Sequence, residues 1–155
     1  MPTGRKSIID HPEKINMKSS AITWVQWLLR ILAAAIMLQT LYFKFTAAPE
    51  SVYIFTQTGM EPWGRIGIGI LELIASVLIL YPRTTDLGAL LAAGLMSGAL
   101  YFHLTVLGFA VMDDGGQLFL YAVAVLLSAL ILLWINRDTV LKRVKFILAF
   151  GSAKR

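Results

Sequence analysis

Four long apolar runs separated by short polar clusters organise the chain: Ala21 to Thr46, Trp63 to Leu80, Leu87 to Gly108 and Gln117 to Ile135. A hydrocarbon core about 30 Å thick takes about 20 apolar residues in helical form, so each run predicts a membrane-spanning helix. Pro82 with Arg83 to Asp86 breaks the second run from the third, and Asp113-Asp114-Gly115-Gly116 breaks the third from the fourth. Both links are short enough to be hairpins built from turn residues. The link between the first two runs is longer. It opens with Ala48-Pro49-Glu50-Ser51, a helix-start pattern, and continues Val52-Tyr53-Ile54-Phe55 before stopping near Gly59, which predicts a short helix lying at the membrane surface. The expected fold class is therefore all-α: an integral membrane four-helix transmembrane bundle over residues 21–135 with a short interfacial helix between the first two spans. Basic tails at 1–20 and 136–155 flank it, the second carrying an amphipathic helix over Val140 to Phe150.

Composition strengthens this reading. Hydrophobic residues make up 57% of the 155 positions and charged residues only 15%, with a mean hydropathy of +0.71. A soluble domain carries roughly 45–50% apolar and about 25% charged residues, so this chain holds more apolar surface than a water-facing fold of its size can bury. Cysteine is absent, which excludes disulfides, thiol catalysis, iron–sulfur clusters and cysteine zinc sites.

Charge sets the expected orientation. Arg5, Lys6, Lys14 and Lys18 lie before the first run, Arg83 in the middle hairpin, and Arg137, Lys142, Arg143, Lys145, Lys154 and Arg155 after the last. The first and third links hold Glu50, Glu61, Asp113 and Asp114. Positive charge is retained on the cytoplasmic side, so both termini are expected there. The net charge of +5 follows this topology and reads as an anchor to anionic lipid, with no nucleic-acid partner. About twenty polar residues precede the first run, which is too long for a signal sequence, so no cleavable signal is expected. Trp24 and Trp27 at one end and Trp63 at the other suit interfacial belts.

Polar residues within a span point at protein or water, so their helical phase locates the bundle interior. Steps of three and four place Arg30, Ala33, Met37, Thr40 and Lys44 on one stripe of the first span, and Arg65, Gly69, Glu72 and Ser76 on one stripe of the second. Gly94, Ser97, Gly98, Tyr101 and Thr105 form such a stripe on the third, and Gln117, Tyr121, Ala124 and Ser128 on the fourth. All four are expected to face inward, with Gly69, Gly94 and Gly98 as packing glycines. Glu72 lies near the middle of its span, and a carboxylate at that depth requires a cation or a proton. The expected partner is Arg30 extending along its stripe, with Arg65 sharing the carboxylate. Lys44 either extends to the interface or joins His103 in a polar pocket. A single membrane histidine without cysteine leaves too few donors for a metal site. Gly64-Arg65-Ile66-Gly67-Ile68-Gly69 lacks the spacing and the strand of a phosphate loop, so packing explains its glycines better.

The stretches Phe43-Lys44-Phe45-Thr46-Ala47-Ala48-Pro49-Glu50-Ser51, Gly59-Met60-Glu61-Pro62-Trp63-Gly64-Arg65, Gly69-Ile70-Leu71-Glu72-Leu73, Pro82-Arg83-Thr84, Met96-Ser97-Gly98-Ala99 and His103-Leu104-Thr105 resemble the DoxX family of small bacterial membrane proteins. The likeness covers about Ala21 to Ile135, and Arg30, Lys44, Gly69 and Glu72 stand at its arginine, lysine and Gly-x-x-Glu positions. It implies a bacterial inner-membrane protein associated with oxidoreductase systems, including thiosulfate and quinone chemistry. On that implication the expected function is an accessory subunit of such a system. Arg30, Lys44, Arg65, Glu72 and His103 would hold a quinone head group between the helices, flanked by Tyr42, Tyr101 and Tyr121. No cysteine pair, haem motif or nucleotide fold supplies a redox centre, so any part in electron transfer would come by holding a quinone or by docking another subunit. The alternatives are a non-enzymatic scaffold binding lipid or a partner, and a small-solute or proton conduit gated by Glu72, which would need an oligomer.

Overall fold

A computed structural model of the chain describes residues 12–152, with side chains over 20–146. Among the described residues it is helical throughout: α1 (Pro12–Phe45), α2 (Pro49–Gln57), α3 (Trp63–Leu80), α4 (Thr85–Phe102), a π-helical turn (His103–Leu107), α5 (Gln117–Ile135) and α6 (Arg137–Ser152). Four segments are long and apolar enough to cross a membrane: Ser20–Phe45, Trp63–Leu80, Thr85–Leu107 and Gln117–Ile135. The short helix between the first two spans forms as its Pro-Glu start predicts, with Pro49 at the position where a missing N–H costs nothing.

Boundaries differ in three places. The first helix begins at Pro12, ahead of its apolar part, and the last runs from Arg137. The third span changes to π geometry at His103, where Gly108 N–H donates to the His103 carbonyl at 2.9 Å and His103 Nδ1 lies 2.8 Å from the Gly108 carbonyl. Gly108, at φ 80°, then ends the helix.

The spanning helices form a ring in which α1 packs on α3 and α5, and α4 closes it between them. Its core is built mainly from small side chains: Ala33, Ala75, Ala89, Ala92, Val125 and Ala129 are buried with Met37, Ile79 and Leu132. Lipid provides little hydrophobic drive between helices, so close backbone approach and dispersion hold them together. Helix meets helix backbone closely at Gly88, where a Cβ would lie 2.5 Å from the Ile79 nitrogen and 2.8 Å from the Leu78 carbonyl carbon. The same hairpin is tied by Thr84 Oγ1 donating to the Leu78 carbonyl at 2.9 Å and Thr85 Oγ1 to the Ile79 carbonyl at 3.1 Å.

This hairpin corrects the expected inner face of α4. With Gly88 pressed on α3, Ala89, Ala92, Ala93 and Met96 turn inward. Gly94 is about 200° from Ala92 at 100° per residue, so Gly94, Ser97, Gly98, Tyr101 and Thr105 face outward and are exposed. A Cβ on Gly94 or Gly98 meets nothing within 4 Å, so neither is a packing glycine within the bundle. The α5 stripe is inward only in part: Ser128 is buried and donates to the Ala124 carbonyl, Ala124 and Tyr121 are half-buried, and Gln117 is exposed.

Both ends are pinned by carboxylates. Asp114 Oδ1 accepts from Val111 N–H and Gly116 N–H, each at 2.8 Å, and Oδ2 from Leu118 N–H at 3.0 Å, which starts α5. Burial pushes the Asp114 carboxyl up, but these three backbone donors and the nearby His103 hold it below its ordinary value. At the opposite end, Arg143 Nε of α6 lies 2.7 Å from Asp86 Oδ2, a charge contact without an aligned hydrogen bond. Arg143 Nη2 also donates to the Arg83 carbonyl, fastening α6 to the α3–α4 hairpin.

Two outcomes follow for stability measured by thermal unfolding in detergent. Gly88→Ala lowers stability by roughly 1–3 kcal/mol, because its new methyl meets backbone that cannot move aside, whereas Gly94→Ala and Gly98→Ala melt at or slightly above the parent through better helix propensity. Asp114 has a folded pKa below its unfolded one, so its stabilisation is present above about pH 4 and is lost as pH falls further. Asp114→Asn therefore weakens the fold at neutral pH and flattens the pH dependence below about pH 4.

Candidate functional site

The polar centre of the bundle forms where the α1 and α3 stripes meet. Gly69 has no side chain, and a Cβ there would lie 3.2 Å from the Phe45 ring and 3.6 Å from Lys44 Cβ, so the end of α1 lies directly against α3. One turn further on, Lys44 Nζ and Glu72 Oε2 are 2.8 Å apart, with side chains 13% and 6% exposed. Lys44 Nζ also donates to Thr40 Oγ1 at 3.0 Å. The Thr40 hydroxyl shares its single proton between the Met37 carbonyl at 2.8 Å and Glu72 Oε2 at 3.2 Å. Ser76 Oγ donates to the Glu72 carbonyl at 2.7 Å, a bond within α3. Glu72 lies nine residues from Trp63 and eight from Leu80, about 12–14 Å from either end of α3 at 1.5 Å per residue.

A second ion pair supports the first. Arg65 Nε lies 3.0 and 2.9 Å from the two Glu61 carboxylate oxygens, and Arg65 Nη2 lies 2.8 Å from Oε1. Arg65 Nη1 donates to the Lys44 carbonyl. A guanidinium at the last turn of a helix satisfies a carbonyl that has no intrahelical partner and opposes the negative end of the helix dipole. Glu61 and Arg65 thus hold the end of α1 at the level where Lys44 reaches Glu72. Charge, hydroxyl and backbone groups are gathered here within otherwise apolar helices, giving donors, an acceptor and an exchangeable proton at one place.

The expected Arg30–Glu72 contact is not formed. Ten residues of helix separate Arg30 from Thr40, about 15 Å, and the antiparallel packing of α1 on α3 sets Thr40 and Lys44 beside Glu72. Arg30 instead has Gln26 Oε1 at 3.5 Å and the Trp27 ring centroid at 5.1 Å. Arg65 turns to Glu61 and does not share Glu72. Lys44 neither extends to the interface nor joins His103, which is buried against Phe119 with ring centroids 5.6 Å apart. Tyr42 and Tyr101 are exposed, away from the cluster, while the Tyr121 hydroxyl meets Gln117 of its own helix and Gln39 of α1. Of the expected site residues, Lys44, Glu72, Arg65 and Gly69 are brought together, and Arg30, His103, Tyr101 and Tyr121 lie elsewhere. Thr40 and Glu61 complete the cluster. Glu61 and Arg65 stand four residues apart, a spacing readable in the sequence, although Glu61 lies in the turn ahead of α3.

A family model, the DoxX-like family, matches residues 28–134, which include every residue of the cluster. No curated protein and no solved structure matches the chain.

Removing one partner of a buried ion pair leaves the other uncompensated and costs about 3–5 kcal/mol. Glu72→Gln and Lys44→Met should each lose stability on that scale in a reversible unfolding assay in micelles. The double variant Lys44→Met/Glu72→Leu should recover most of it, because no stranded charge remains.

Proposed function

The chain belongs to the DoxX-like family, and from that premise we propose that this integral membrane protein is an accessory, quinone-interacting subunit of a membrane oxidoreductase system. We place it in the bacterial cytoplasmic membrane with both termini cytoplasmic, following the distribution of its basic residues. The observation that carries the reading is the unspent donor capacity of Lys44. Its ammonium has three N–H groups, and among the described residues two acceptors meet it, Glu72 Oε2 and Thr40 Oγ1. The third is available to a carbonyl oxygen at the edge of the α1–α3 seam, where the Lys44 side chain is 13% exposed.

A quinone bound there would supply the electron-accepting chemistry, with the electrons coming from a partner subunit. Lys44 Nζ would donate to the quinone carbonyl, Thr40 would orient the ammonium, and Glu72 Oε1, the carboxylate oxygen that neither Lys44 nor Thr40 engages, would be the atom that takes up a proton close by. Glu61 and Arg65 position Lys44 through its backbone carbonyl without touching the ligand.

A second reading is favoured by the closure of the same cluster. The 2.8 Å contact between Lys44 and Glu72 and the cap from Arg65 together make a structural pin. That would suit a scaffold whose outer surface binds lipid or another membrane protein.

Isoprenoid quinone measured by mass spectrometry after mild purification from native membranes separates the two. The quinone reading predicts near-stoichiometric quinone in the parent and its loss from folded Lys44→Met and Thr40→Val proteins. Quinone no higher than in bulk lipid in the parent contradicts that reading and supports the scaffold.

A further inference from the structure

Arg30 is another buried charge in the bundle, and among the described residues it lacks the counter-charge that Lys44 and Arg65 both have. Its residue is 5% exposed. Among the described residues its Nε is buried with no hydrogen-bond partner, and its one hydrogen bond is the 3.5 Å contact of Nη2 with Gln26 Oε1, at the outer limit for such a bond. Among the described residues no carboxylate is in ion-pair range: Asp86, at the same end of the bundle, is taken by Arg143. A guanidinium stays protonated in proteins and presents five N–H donors in a planar fork. A buried guanidinium without a counter-charge carries a desolvation cost that an anion would offset.

The surroundings indicate the kind of anion. Trp27 lies against the guanidinium and shares an exposed face of α1 with Ser20, Thr23, Trp24 and Ile31. This face is mostly apolar, with two hydroxyls at the end nearer the amino terminus. Depth agrees as well. Thr40 lies beside Glu72 and Lys44 beside Gly69, so continuing the antiparallel register brings Arg30 level with the α3–α4 turn. There the exposed rings of Tyr81, Trp27 and Trp24, with Trp134 at the end of α5, mark an interfacial belt. A lipid phosphate resides at the level of such a belt.

We propose that Arg30 binds the phosphodiester of an acidic phospholipid whose acyl chain lies along the exposed Trp24–Trp27–Ile31 face of α1. The site carries one uncompensated positive charge, so a lipid of net negative charge neutralises it, whereas a zwitterionic lipid brings its own cation. Arginine suits phosphate through paired N–H donors, and the indole face holds the fork in place.

The test reconstitutes the full chain in nanodiscs of phosphatidylcholine with or without phosphatidylglycerol, and reads lipid retention by native mass spectrometry together with thermal stability. The parent should retain phosphatidylglycerol over phosphatidylcholine, and be stabilised by it. In Arg30→Gln the preference should fall roughly tenfold, the scale of one charge-assisted hydrogen bond, while Arg30→Lys should keep part of it. A variant with Lys142→Gln and Lys145→Gln, which removes exposed charge from α6, should keep the preference. Equal retention of both lipids by parent and Arg30→Gln overturns the proposal, as does loss of preference in the α6 variant alone. Equal stabilisation by inorganic phosphate without phosphatidylglycerol overturns the lipid assignment in favour of a free anion, and retention of a co-purifying acidic protein in place of lipid overturns it in favour of a protein partner.

Discussion

A carboxylate in the middle of a membrane-spanning helix must be compensated, and the position of Glu72 sets much of the bundle around that requirement. Leaving such a charge unpaired costs several kcal/mol, a large fraction of the 5–15 kcal/mol that stabilises a typical domain. Compensation comes from Lys44, which reaches Glu72 only if the last turn of α1 lies against the second turn of α3. Gly69 permits that approach. Arg65, held by Glu61, takes the Lys44 carbonyl and fixes where α1 stops. One pair therefore sets the register of two helices, and α2 begins just beyond the end of α1, with its buried Ser51 and Phe55 facing the bundle.

The two ends of the bundle use charge differently. Toward α2, acids and bases pair with each other or with backbone: Lys44 with Glu72, Arg65 with Glu61, and Asp114 with three amides. Toward the termini, Asp86 is held by Arg143 from outside the span, and among the described residues Arg30 has no acid in ion-pair range. The first arrangement closes on itself through side chains and backbone of the bundle. The second leaves one guanidinium unpaired among the described residues, and that difference is the ground for the lipid proposed at Arg30.

Much of this was legible from periodicity. The second and fourth spans, the interfacial helix and the inward stripes of α1 and α3 all follow from apolar length and steps of three and four, because lipid leaves a spanning segment little choice but helix. Pairing was less legible. Arg30 and Glu72 both lie on inward stripes, and their separation along the bundle depends on the offset between α1 and α3, which periodicity within one helix does not contain. The α4 face was ambiguous for a different reason. Gly88-Ala89-Ala92-Ala93 and Gly94-Ser97-Gly98 are both small-residue faces, and the choice between them is made by a backbone contact with α3 at Gly88. A hairpin only a few residues long fixes rotation as well as direction, so the phase of α4 is inherited from its neighbour.

The Lys44–Glu72 pair is tested most directly by a distance measured in a bilayer. Protein carrying ¹⁵N-lysine and ¹³C-glutamate side chains, reconstituted in lipid, can be read by rotational-echo solid-state NMR, with Glu72→Gln identifying the signal. With the pair formed, dephasing between the Lys44 ammonium and the Glu72 carboxyl carbon is strong, as a 2.8 Å nitrogen–oxygen contact requires, and is lost in the variant. No dephasing between them, with the Lys44 ammonium in contact with lipid phosphate, would contradict the pairing.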